Sequence, residues 1–141
     1  MPHADRRIAL LKRVVRLREV EKRRAAARLA EAQGMHGKLL ALESRSAEIA
    51  ATYSARRDAG TAGELARTLQ FTAGVQAIRG DTASEARKAG DASQAAMAHL
   101  HMAERRQEIT ADALSTRQRE DEMRRASREP TQLARKLKSP S

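Results

Sequence analysis

Apolar and polar residues alternate along this chain with a helical period, not a strand period. Met35, Leu39, Leu42, Ser46, Ile49 and Tyr53 fall at alternating spacings of four and three, the heptad seam of a coiled coil with one polar layer. Further on, Leu65, Leu69, Phe71, Val75 and Ile78 are apolar, and then alanine takes over. Ala89, Ala96, Leu100, Ala103, Thr110 and Leu114 continue a seam of mostly small side chains. Small seam residues let two helices approach closely but bury little area, so marginal stability is expected there.

Turn formers cluster between the two patterns at one place, Asp58-Ala59-Gly60-Thr61-Ala62-Gly63. Gly60 suits the left-handed position that ends a helix. Thr61 and Glu64 fit a capping box, in which Thr61 accepts from the Glu64 amide and Glu64 reaches back. The predicted architecture is all-α: a long antiparallel two-helix coiled-coil hairpin over residues 1–129. One helix is expected over about residues 6–57 with Asp5 as N-cap, a turn at about 58–61, and a second helix over about 62–128. Glu129-Pro130 disfavours continuation, and residues 130–141 are expected to be a flexible basic tail. Folding at Thr61 pairs positions whose numbers sum to about 122, so Tyr53 should meet Leu69 and Ile8 should meet Leu114; Leu17 should meet the region of Arg105. Gly34, Gly37, Gly74, Gly80 and Gly90 each cost a helix roughly 1 kcal/mol relative to alanine and predict flexibility without a break.

Composition sharpens this picture. The 141 residues include one Phe, one Tyr and no Trp, while 33% are charged. The side chains that anchor a compact core around a pocket are nearly absent, which argues against an enzyme. With no Cys, disulfides and thiolate chemistry are excluded. No run approaches the roughly 20 apolar residues of a membrane span. The early cluster Ile8-Ala9-Leu10-Leu11 is followed at once by Lys12 and Arg13, unlike a secretory signal, so a soluble cytoplasmic protein is expected. The net charge of +10 is uneven: residues 1–57 carry 14 Lys/Arg against 6 Asp/Glu, and residues 58–100 carry 4 against 5.

Little here points to chemistry. His99 and His101 are two apart and diverge on a helix, and His36 falls opposite the region of Ala86, so the histidines read as solvated and no metal site is predicted. No catalytic or cofactor-binding residues are predicted. The basic run that includes Arg13, Arg16, Arg18, Lys22 and Arg23 is read as a solvated coiled-coil face or as a dock for an acidic surface. Its interleaved Glu19 and Glu21 and the shortage of aromatics argue against nucleic acid. Near the turn, Leu42, Ile49, Tyr53, Phe71, Val75 and Ile78 gather where charges thin out. They form either a better-packed hairpin end or an outward patch for a partner. On the outward reading Phe71, Val75 and Ile78 share one face, while Leu65, Leu69, Thr72 and Gln76 supply the seam.

Taken together, the run from Ile8 to Lys22 leading into Val20-Glu21, the turn at Ala59-Gly60, Leu69-Gln70-Phe71 beyond it, and the Arg/Glu-rich second helix with a basic tail resemble the FliJ-type proteins of the bacterial flagellar type III export apparatus. The resemblance covers most of the chain. It implies a stalk-like coiled coil that links the hexameric export ATPase to the cytoplasmic domain of the export gate protein and interacts with export chaperones. Such a protein has no cofactor and meets the inner face of the cell membrane only through the apparatus. By position, the resemblance implies gate contacts at Leu42, Ile49, Phe71, Val75 and Ile78, with Ile49 and Arg45 standing where the family has aromatics and Tyr53 one turn on. The injectisome counterpart, with the same hairpin, and a small basic coiled-coil nucleic-acid-binding protein stay open as alternatives.

Overall fold

Residues 2–55 and 60–138 are described by a computed structural model. Two helices, α1 (Pro2–Ala55) and α2 (Ala62–Lys138), pack against each other as an all-α hairpin, and no strand occurs among the described residues. Their contacts group the chain into two units, each containing part of both helices. One is Met1–Arg24 with Leu100–Ser141, and the other is Ala25–His99.

Local chemistry explains the helix ends. Pro2 opens α1, a position where the missing N–H costs nothing and the fixed φ is already helical. Asp5 therefore lies in the first turn and is not the N-cap expected of it. At the start of α2, Thr61 Oγ1 accepts from the Glu64 amide at 3.1 Å, and the Glu64 carboxylate accepts from the Gly60 amide at 3.0 Å. This is the expected capping box, with the return bond taken one residue earlier. Gly60 has no positive φ, so it serves as this donor and not as a left-handed helix stop. The expected end of the first helix near Arg57, and Asp58 and Ala59 of the turn, lie outside the described residues. At the far end, α2 does not stop at Arg128. It runs through Pro130 to Lys138, so the expected flexible tail is helical up to that point. Proline removes one donor at an interior cost of about 3 kcal/mol, but Gln132, Leu133, Ala134, Arg135, Lys136 and Leu137 after it are good helix formers.

The seam follows one uninterrupted heptad line on each helix. On α1 the seam is formed by the half-buried or buried Ile8, Val15, Lys22, Leu29, His36, Glu43 and Ala50 (a) with Ala4, Leu11, Arg18, Ala25, Ala32, Leu39, Ser46 and Tyr53 (d), and Val14, Glu19, Glu21 and Ala47 beside it are half-buried as well. On α2 it is formed by Thr72, Arg79, Ala86, Ser93, Leu100, Gln107, Leu114 and Asp121 (a) with Thr68, Val75, Thr82, Ala89, Ala96, Ala103 and Thr110 (d), and Ala83, Gly90, Glu104, Ala111 and Gln118 beside it are half-buried as well. The buried members are all small: Ala50, Ala86, Ala103, Ser46 and Thr82. Leu39, Ser46, Tyr53 and the expected alanine-rich α2 positions are seam residues. Met35, Leu42 and Ile49 are not; they sit one place before the a positions and are exposed. Carrying the line set by Ile8, Leu11 and Val15 onward without a stutter puts His36, Glu43 and Ala50 in the seam instead.

Within the Ala25–His99 unit, Tyr53 meets Phe71 with ring centroids 4.4 Å apart, and His36 abuts Gly90. These pairs sum to 124 and 126, so the pairing is shifted by a few residues from the expected 122. Residues 62–67 are exposed throughout, and packing begins only at Thr68, which accounts for the shift. In the other unit, Ile8 borders a groove with Arg117 and Asp121, beyond the expected Leu114. Leu17 is more than half exposed there.

Candidate protein-binding faces

The residues expected near the turn divide between two roles. Leu42 and Ile49 on α1 and Phe71 and Ile78 on α2 all occupy the g position, next to the seam. In an antiparallel pair the g positions of both helices flank the same side, so these four side chains share one face of the Ala25–His99 unit, together with Met35. All are exposed; Phe71 retains 46% and Ile78 55% of its accessible surface. Tyr53 and Val75 are half-buried seam residues, and Tyr53 supports Phe71 from beneath by the tilted ring contact. Val75 therefore does not share the outward face expected of it. Leu65, Leu69 and Gln76, expected in the seam, are exposed, whereas Thr72 is in it. Four apolar g residues with a stacked aromatic are suited to take the apolar edge of another protein.

The five basic residues also divide. Arg13, Arg16 and Arg23 are exposed, while Arg18 and Lys22 lie in the seam at d and a. Arg18 donates to Glu21 at 2.9 Å, and its Nε is buried without a hydrogen-bond partner. Arg18 and Lys22 are therefore not part of an open basic surface, because the heptad line turns them toward α2. The exposed three leave a smaller positive face for an acidic partner.

Of the histidines, His36 departs from the solvated reading. It is half-buried against Gly90, where an added Cβ would stand 3.2 Å from its Nε2, and it borders a shallow groove with Glu43 and Arg87. Gly90 thus makes room for a side chain. A groove of about 290 Å³ lies between His3, Ile8, Arg117 and Arg124, and nearby Arg125 reaches Asp5 at 3.4 Å and Asp121 at 3.2 Å. The pair with Asp5 is exposed on both sides and of little energetic weight, whereas Asp121 is half-buried. Among the described residues no three His, Asp or Glu side chains gather as a metal ion would require, and no helix is long and apolar enough to cross a membrane.

Sequence reasoning overlooked a further set: Leu10, Leu17, Met102 and Ile109 are exposed. Their signal was a seven-residue spacing offset by two from the seam, which is visible only once the seam itself is fixed. Geometry and exposure define a class, a helical hairpin with exposed apolar edges. Compared with known proteins, the chain matches no family model, no curated protein and no solved structure.

Proposed function

We propose that this chain is a non-enzymatic, stalk-like component of a bacterial flagellar type III export apparatus, one that joins the hexameric export ATPase to the cytoplasmic domain of the export gate protein. The observation that carries the reading is the exposed apolar g face of Leu42, Ile49, Phe71 and Ile78, four of the positions at which the FliJ-type resemblance implies gate contact. Tyr53 and Val75 act from beneath it by fixing the seam. Arg13, Arg16 and Arg23 supply charge toward the ATPase, export chaperones are further partners, and the protein works in the cytoplasm at the inner face of the membrane. It needs no cofactor.

The experiment is binding of the full chain to purified gate domain and to purified ATPase. Ile78→Ala, which removes an exposed side chain, should weaken gate binding by about 1–3 kcal/mol and leave the melting temperature nearly unchanged. Arg13→Glu with Arg16→Glu and Arg23→Glu should weaken ATPase stimulation without loss of helicity. Gate affinity equal to that of the unmodified chain in Ile78→Ala and Phe71→Ala alike would refute the reading. So would tight duplex DNA binding with a steep salt slope in place of either protein partner.

A further inference from the structure

In the unit formed by Met1–Arg24 and Leu100–Ser141, the apolar residues left out of the seam are aligned. Leu10 and Leu17 on α1, and Met102 and Ile109 on α2, are each more than half exposed. Each stands two residues after an a position: Ile8, Val15, Leu100 and Gln107 respectively. They occupy the c position, on the same flank as g, so in an antiparallel pair all four border one side. Between the two ridges lie the g residues Val14 and Ala113. Scattered exposed leucines need no explanation, but ridges repeating every seven residues on both helices stay in line along a coiled coil.

The charges on this face say what covers it. Its c and g positions carry Arg7, Glu21, Arg24, Arg106 and Glu120. Both acids are already engaged within the chain, Glu21 by Arg18 at 2.9 Å and Glu120 by Arg124 at 3.9 Å. Among the described residues Arg7, Arg24 and Arg106 make no ion pair. A second copy would bring three more unpaired arginines and a second net charge of +10 against the first. A nucleic acid would answer the arginines and leave the apolar ridges bare. We propose that this groove receives an amphipathic helix of a partner protein, one with a leucine-type ridge flanked on both sides by acidic residues, which completes a three-helix coiled coil. Helix-in-groove recognition reads apolar anchors at helical spacing, and flanking charge sets the choice of partner. The proposal uses none of the turn-side face and does not depend on the export reading.

The test uses the full chain and a fluorescein-labelled peptide of three heptads with Leu at a and d and Glu at e and g, read by fluorescence anisotropy at physiological salt. A twin peptide with Lys in place of Glu is the control. The Glu peptide should bind saturably, and the Lys twin should bind at least about tenfold more weakly. Leu17→Ser with Ile109→Ser should weaken binding by about tenfold or more with an unchanged far-UV circular dichroism spectrum, and Arg24→Glu with Arg106→Glu should do the same without touching the apolar ridges. No saturation below about 100 µM would overturn the proposal. Equal binding of both peptides, or retained binding by both variants, would overturn it as well. So would a free chain that sediments as a dimer and is dissociated by the serine pair, since the face would then belong to a second copy. Duplex DNA or anionic vesicles bound through the same serine-sensitive face would also refute it.

Discussion

Thr61 and Gly90 show how single residues set this hairpin. Thr61 caps α2 through one hydroxyl, and Thr61→Ala should cost about 1 kcal/mol of unfolding free energy, read from a shift in urea midpoint at constant slope. The glycines make a finer comparison. A Cβ at Gly80 would meet nothing within 4 Å, whereas one at Gly90 would press on the His36 ring. Gly80→Ala should therefore stabilise the chain by about 0.5–1 kcal/mol through helix propensity. Gly90→Ala should gain clearly less, and should recover the full gain in a His36→Ala background. Equal gains at both positions in the unmodified background would show that the His36–Gly90 fit carries no energy. The sequence marked all five glycines as flexible points; only the partner helix reveals that one of them is a seat.

At the scale of an element, α1 illustrates what periodicity can and cannot tell. Its helical character, the capping box that opens α2 and the alanine-rich half of the second seam were readable from spacing alone. The phase of the first seam was not. Met35, Leu42 and Ile49 form a heptad line more apolar than the His36, Glu43 and Ala50 line beside it, and a local window favours the former. Phase is decided by continuity along the helix, which spreads the choice over many turns. The same rule turns Arg18 inward, where its Nε has no partner. Replacing a half-buried seam charge by an apolar side chain of similar reach removes a desolvation cost. Arg18→Leu should raise the melting temperature by several degrees, measured by circular dichroism; a fall would mean that the Arg18–Glu21 pair matters more than its burial. The continuation of α2 past Pro130 was hidden for a related reason, since a proline rule weighs one residue and a helix weighs the run that follows.

For the whole molecule, charge outweighs hydrophobicity as the main internal conflict. A net charge of +10 acts on helices joined by a seam whose buried members are three alanines, a serine and a threonine. Screening reduces self-repulsion without weakening apolar contacts. Raising sodium chloride from about 50 mM to about 500 mM, a range over which the Debye length falls severalfold, should therefore raise the melting temperature. A decrease would mean that attractive ion pairs dominate.

The threonines of the seam carry a different consequence. Thr68, Thr72 and Thr82 each donate to a carbonyl of their own helix, to Glu64, Thr68 and Ile78 at 2.7–2.9 Å. Their polarity is satisfied before the other helix arrives, so they ask nothing of it. Where the seam is made of alanines and such threonines, it presents nearly the same profile one heptad along. In the Ala25–His99 unit the tilted Tyr53–Phe71 contact and the His36–Gly90 seat are fits that a shift of one heptad would break. The helix pair is thus a slide with two detents. Cysteines introduced by Leu39→Cys and Ala86→Cys should cross-link readily, while Ala32→Cys with Ala86→Cys, one heptad out of line, should not. Adding Phe71→Ala and His36→Ala should let the second pair cross-link too, and a second pair that stays silent would place the detents elsewhere.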